Sequence, residues 1–509
     1  MLGEYIRHNK KNIILSFVLT FFCYAYLASN NNIRIDSEVM MNGEDICATW
    51  LTIGRYGLVL LKKMLGLQQY NSAVSGMLFL IFFALNSNLV TYGLYYLSGK
   101  KEYSYGIFLL LVSTSNIWCY QVYFTLQEAE IALAMLLTSF SAFCLHRVVF
   151  GQKKKLNFVV ILLSTGALVL TFGAYQALVV YYIAINVIFF CSRILNGNCT
   201  KNEIIGLGKI IAHFLICYVA YIWVAKMWFM QEPSYLGSQS GWQSVSVVVC
   251  VKSIAKEILR TIFMKGPRYF SAFTIGLVLF FIGIIGKVKK NNWDKMQIAI
   301  CGICFLGLSI TPFLMVLYTG QEPVTRSQFA LPVVSAYMFM VGWQMIFDKV
   351  RKCWKCVATG VIITIQIAFC VMLSYSDYIR YKEDVNRTEI LFDLLEDDKL
   401  SLEKEMPIVF VGANEFGTPY SVMRSEMFGK SFYEWDCTKT NPTGASSRIA
   451  GFVEAYSGVK LETEITEEQK QRALDKIKSM ETYPDENSVL LMEDMIVVKL
   501  SDIEDIVYQ

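Results

Sequence analysis

The chain has 509 residues, of which 55% are hydrophobic and 17% charged, with a mean hydropathy of +0.43. That balance excludes an ordinary water-soluble globular protein and describes an α-helical polytopic membrane protein. The formal net charge is only +4, no nucleic-acid partner is expected, and the distribution of charge says more than its sum.

In chain order, the first apolar run covers Asn12 to Ser29, near the roughly 20 residues needed to cross about 30 Å of hydrocarbon. Further runs near 73–97, 104–120, 129–146, 156–172, 176–192, 207–228, 271–286, 296–317, 333–347 and 357–375 predict eleven spans in all. Arg7, Lys10 and Lys11 precede the first run and favour a cytoplasmic N-terminus. No small-residue cleavage site follows that run and many spans come later, which speaks against a removed signal peptide. With this orientation the basic residues fall on the cytoplasmic side: Lys100 and Lys101; Arg147 and Lys153 to Lys155; Arg193, Lys201 and Lys209; Lys287, Lys289, Lys290 and Lys295; Lys349, Arg351, Lys352 and Lys355. The opposite loops are longer yet hold fewer. The expected protein is multi-pass in the cell membrane, with a transmembrane domain over 1–375 and an extracytoplasmic domain over 376–509.

Three segments on the outer side are long, 30–72, 229–270 and 376–509, so function is sought there. The first contains Asp36 and Glu38, two carboxylates separated by Ser37, then apolar residues at spacings of three and four from Asp45 to Leu67. That spacing predicts one amphipathic helix lying in the membrane interface, with Trp50 and Tyr56 suited to that depth. The second contains a predicted interfacial helix over Val245 to Met264, followed by Lys265-Gly266-Pro267-Arg268. Its Lys252, Lys256 and Arg260 recur every four residues, either to meet anionic headgroups or to wall a phosphate-bearing substrate. In the third, Pro407 to Gly412 and Leu490 to Leu500 predict strands, the latter turning near Glu493-Asp494. Helices are expected over 377–398 and 466–480, which together predict a small α/β domain.

The residues available for chemistry are few. The three histidines, His8, His146 and His213, lie on or near the cytoplasmic half, so acid–base work on the outer face falls to carboxylates. Most of the fourteen cysteines lie in or beside apolar runs, where cysteine behaves as a small hydrophobe. Cys353 and Cys356 have metal or redox spacing but no second pair nearby, and Cys437 is alone in the C-terminal domain. Polar residues gather at other outer ends: Gln127, Glu128 and Glu130; Tyr175 and Gln176; Gln321, Glu322, Arg326 and Gln328. Charge at membrane depth is costly unless paired or facing a wet cavity, so a shared outer cavity is one reading. Structural readings stand beside it: Asp36 and Glu38 as a helix cap or partners of Arg34, Arg55 snorkelling to headgroups, Tyr175-Gln176 as a polar turn, and Arg326 paired with Glu322.

Asp36-Ser37-Glu38, followed by Trp50 and Gly54-Arg55, resembles the first external loop of the GtrII-type glucosyltransferases, polytopic enzymes that decorate bacterial surface polysaccharides. The Gly173-Ala174-Tyr175-Gln176-Ala177 turn, the loop containing Arg326, and the strand Pro407 to Gly412 are similar to features of the same family. The family often carries Asp-Asp where this chain has Asp36-Ser37-Glu38. The resemblance implies a GT-C fold and transfer of a sugar, glucose or another hexose, from a polyprenyl-phosphate donor to a surface polysaccharide, with inversion. It implies that Asp36 or Glu38 is the catalytic base, and that Arg55, Tyr175, Gln176, Lys265, Arg268 and Arg326 bind the donor. A separately encoded flippase and donor synthase are its expected partners, and no metal ligands are assigned, although Asp-x-Glu leaves a divalent cation open. The alternatives are a polysaccharide polymerase or ligase, or a transporter of polysaccharide precursors.

Overall fold

A computed structural model describes the chain except for residues 1, 100–103, 152–156, 197–199, 230–239, 267–269, 292, 294, 347–351, 398–405, 416–421 and 507–509. The described residues are mostly helical and divide into two compact units: Met1–Asn30 with Ile46–Val371, and Asn31–Asp45 with Met372–Gln509.

Among the described residues, seven helices are long and apolar enough to cross a membrane: Leu2–Ser29, Ser72–Ser98, Glu128–Phe150, Ala177–Leu195, Lys201–Trp228, Lys295–Thr319 and Cys356–Glu396. Phe158–Phe172 and Ala330–Ile346 are shorter apolar helices. In the first unit, Phe273–Asn291 packs along Ala330–Ile346, and Ser72–Ser98 packs on both Leu2–Ser29 and Glu128–Phe150. Many residues on the outside of the bundle are large and apolar, including Phe22, Leu162, Leu163, Ile216, Val219 and Trp223. An apolar exterior over an apolar core is what a helix bundle in lipid requires. The predicted span at 104–120 is instead two short helices, Tyr105–Ser113 and Ile117–Val122, because Thr114, Ser115 and Asn116 break it with polar side chains that are themselves buried.

The predicted helix from Asp45 to Leu67 is also two, Ile46–Thr52 and Tyr56–Leu65. Its apolar spacing runs on through the junction, but Gly54 takes φ 78° there, which only glycine adopts without strain. Arg55 is left as the cap residue of the second helix, its N–H on the Trp50 carbonyl at 2.8 Å.

In the second unit, β1 (Ile408–Val411), β2 (Val489–Leu491) and β3 (Ile496–Lys499) form a sheet in the order β1-β3-β2, with β1 parallel and β2 antiparallel to β3. The turn between β2 and β3 falls where the sequence predicts it. Both faces of β1 and β3 are buried, as continuous apolar strands demand. Val409, Val411 and Val497 pack with Ala473 of the helix Glu467–Lys476 and with Ile477. That helix begins at a capping box in which the Thr466 hydroxyl and the Gln469 side chain satisfy each other's backbone N–H. The helix Ser446–Ser457, not anticipated from the sequence, packs on β1, and the Ser446 hydroxyl accepts from the Phe410 N–H at 3.0 Å.

A buried ionic network ties residues 31–45 into this unit. Arg34 donates through Nε and Nη2 to Asp377 Oδ2 at 3.2 and 3.1 Å, and Asn32 reaches the same oxygen at 3.1 Å. Arg380 bridges Asp377 Oδ1 at 2.9 Å and Asp384 Oδ2 at 3.0 Å. All four charged residues are fully buried; losing Arg380 takes the ion-pair partner from Asp384 at a cost of about 3–5 kcal/mol, while Asp377 keeps one guanidinium when the other is lost.

Candidate active site

Because Arg34 is consumed by Asp377, it is not the partner of Asp36 or Glu38. The turn that presents them is built locally: Ser37 N–H donates to the Arg34 carbonyl at 2.9 Å, while the Ser37 hydroxyl accepts from Arg34 N–H at 2.8 Å. Asp36 closes the turn at φ 70°, a left-handed conformation that Asp tolerates better than most residues, and Ser37–Met41 follows as a short helix. Asp36 stands before that helix but makes no side-chain cap bond to it.

Both carboxylates meet Arg448, on the helix Ser446–Ser457. Its Nη1 donates to Glu38 Oε1 at 2.8 Å and to Asp36 Oδ1 at 3.1 Å, and its Nε donates to Asp436 Oδ2 at 2.7 Å. The two acids differ in setting: the Asp36 side chain is 41% exposed and that of Glu38 only 3%. Burial pushes the Glu38 carboxyl up to about 7, against the pull of Arg448 and with a further push from the Asp36 charge. Glu38 Oε2 is buried with no hydrogen-bond partner among the described residues. Asp36 is therefore the accessible acid, and Glu38 the one whose proton is in play near neutral pH. Arg448 gives no signal in the sequence, since it lies 410 residues from Glu38 in a stretch with no motif.

The helical unit holds a second group. Gly57 N–H donates to the Gly173 carbonyl at 3.0 Å and Tyr56 Oη to the Val169 carbonyl at 2.8 Å, which sets the 173–176 turn against the start of Tyr56–Leu65. The Arg55 guanidinium then lies 5.5 Å from the centre of the Tyr175 ring, and the Gln176 side chain neighbours the Tyr221 hydroxyl. Tyr175 packs on Phe329 with ring centres 5.8 Å apart, and Phe329 follows the short turn Thr325–Ser327 that carries Arg326. The Arg326 guanidinium lies 3.5 Å from the centre of the Phe124 ring.

Arg326 is not paired with Glu322. That carboxylate takes Arg260 at 2.8 Å and Lys256 at 3.5 Å, so two of the three cations recurring along the helix Val247–Ile262 serve an ion pair. Nε of Arg55 and Nε of Arg326 are each buried without a hydrogen-bond partner among the described residues. Of the expected donor-binding residues, Arg55, Tyr175 and Gln176 thus come together and Arg326 joins them through Phe329. Lys265 is exposed just after the helix and joins none of these contacts among the described residues; Arg268 lies outside the described residues. Among the polar residues at the ends of the apolar runs, Glu130 is paired with Lys62 at 2.8 Å, both buried, a partnership that spacing in the sequence does not reveal.

Among the described residues, no group of three or more His, Cys, Asp or Glu is arranged to hold a metal ion. At Asp36, Glu38 and Asp436 the cation is the Arg448 guanidinium.

The described residues thus make a helical membrane protein that holds acids and guanidiniums in fixed places. The family model described as glucosyl transferase GtrII matches residues 25–342, more than half of the chain, and the chain belongs to that family. This agrees with the resemblance carried by Asp36-Ser37-Glu38, Gly54-Arg55 and Tyr175-Gln176. No curated protein and no solved structure shows significant similarity to it. It is a membrane glycosyltransferase, and family membership implies a sugar donor and a polysaccharide acceptor.

Proposed function

We propose that this glycosyltransferase is of GT-C type, with about eleven spans, and moves glucose or another hexose from a polyprenyl phosphate to a cell-surface polysaccharide on the outer face of the membrane. The N-terminus is cytoplasmic, residues 1–375 form the transmembrane domain and 376–509 an extracytoplasmic domain. A flippase and a donor synthase encoded elsewhere supply the donor.

The observation that carries this reading is the pair of carboxylates. Asp36 and Glu38 share one guanidinium nitrogen; Asp36 is open to solvent, while Glu38 is buried with its own Oε2 unpartnered among the described residues. A carboxylate so held can take the proton from an acceptor hydroxyl as it attacks the anomeric carbon, and a single displacement inverts the configuration. The bond that breaks joins the anomeric carbon to the lipid phosphate, whose negative charge calls for cations. Arg55 and Arg326, each with an unpartnered Nε, are the groups we assign to that phosphate, with Tyr175 and Gln176 beside them and Lys265 and Arg268 as further cations.

Asp36→Asn keeps size and hydrogen bonding while abolishing basicity. In membrane vesicles supplied with a polyprenyl-phosphate sugar it should lower the transfer rate about 10²–10⁴-fold at unchanged protein level. Glu38→Gln should cost less. A reversed order makes Glu38 the base; wild-type transfer by both variants would refute the mechanism.

A further inference from the structure

Arg448 lies beyond the 25–342 stretch that matches the family, yet it completes the acidic pair. Packing delivers it. Asn42 Nδ2 donates to the Gly451 carbonyl at 3.0 Å, and a Cβ on Gly451 would stand 2.9 Å from Glu38 Cγ, so the helix Ser446–Ser457 lies directly on the acidic turn. The Arg448 side chain is only 25% exposed, and three carboxylates fix its guanidinium.

We propose that Arg448 is a positioning residue for sugar transfer: it aims the Asp36 and Glu38 carboxylates and balances their charge, so the C-terminal unit contributes a working part of the acid–base site. The proposal rests on the reading of Asp36 and Glu38 as the base. Two neighbouring carboxylates resist being ionised together, and burial adds to that resistance at Glu38. A guanidinium stays charged at any working pH, and it has no proton to exchange, so it acts through the acids. The charges around it are Asp36 and Glu38 on one side, Asp436 on the other, and Lys430, which interacts with both Asp436 and Arg448.

The test is the pH profile of transfer by the full-length protein in vesicles, with a polyprenyl-phosphate sugar as donor. Removing a cation next to a carboxylate raises its pKa by about 1–3 units, so Arg448→Gln should move the acidic limb of the profile upward by that amount. Below the displaced limb transfer then falls about tenfold for each unit of displacement and recovers at higher pH, which a folding failure would not do. Arg448→Lys keeps the charge without the fork and should move the limb less. An acidic limb unchanged in both variants overturns the proposal whatever the absolute rates. If Arg448→Gln yields no folded protein, Arg448→Lys decides alone: a displaced limb supports the proposal and an unmoved one overturns it. Loss of transfer in Asp36→Asn with unmoved limbs in the Arg448 variants sinks only this proposal. Wild-type transfer in both Asp36→Asn and Glu38→Gln sinks the parent reading and this proposal with it.

Discussion

Arg55 and Arg326 each rest on an aromatic ring rather than on an acid, and such a guanidinium keeps its hydrogen-bonding edge for an anion. Lysine offers a point charge in place of that planar fork, so Arg326→Lys should lose transfer about 10- to 100-fold although net charge is kept. Initial rates across a range of donor concentrations would show it; full activity in Arg326→Lys would make Arg326 structural. At this scale the sequence was legible in part. Asp36, Glu38, Arg55, Tyr175 and Gln176 stand out because charge and amide groups beside apolar runs are expensive. Their partners do not, because Lys62 facing Glu130 and Arg448 facing Glu38 are brought together by packing across 68 and 410 residues, with no local spacing to betray it.

The helix Tyr56–Leu65 is aimed by one close approach. A Cβ on Gly57 would stand 2.0 Å from the Leu170 carbonyl oxygen and 2.6 Å from Ala174 N, both backbone atoms with little room to move. Gly57→Ala should therefore destabilise the helical unit by about 1–3 kcal/mol and displace Arg55 from Tyr175. Thermal unfolding in detergent, read beside the donor KM, checks both; an unchanged melting curve would mean the 173–176 turn yields freely. Hydropathy marks long elements well, since a span needs many apolar residues in a row, and Ser72–Ser98 or Ala177–Leu195 differ from expectation by a few residues at most. Breaks are harder to see. Gly54 interrupts an apolar stripe whose period continues on both sides, and the amphipathic pattern alone predicts one helix where there are two. The helix Ser446–Ser457 is hidden in the sequence for the opposite reason, being short and carrying no long apolar run.

For the molecule as a whole, we propose a cytoplasmic N-terminus and an outer C-terminal unit, from the side on which the basic residues fall. A reporter enzyme fused after Tyr375 should be active only outside the cytoplasm, and one fused between Lys287 and Lys295 only inside; the reverse pattern would move every assigned residue to the other face. The C-terminal sheet is legible from two short apolar runs, β1 and the β2–β3 hairpin, because β1 and β3, buried on both faces, need no alternation. That residues 31–45 group with 372–509 is not, since nothing local in Arg34 names Asp377 as its partner. This grouping has a consequence in time. Glu38 leaves the ribosome 410 residues ahead of Arg448, an interval of roughly 20–80 s at ordinary rates of synthesis. Throughout it the nascent chain holds its acids without the cation that will face them, so the carboxylate centre is among the last parts of the enzyme to be assembled, and a chain stalled before residue 446 never acquires it.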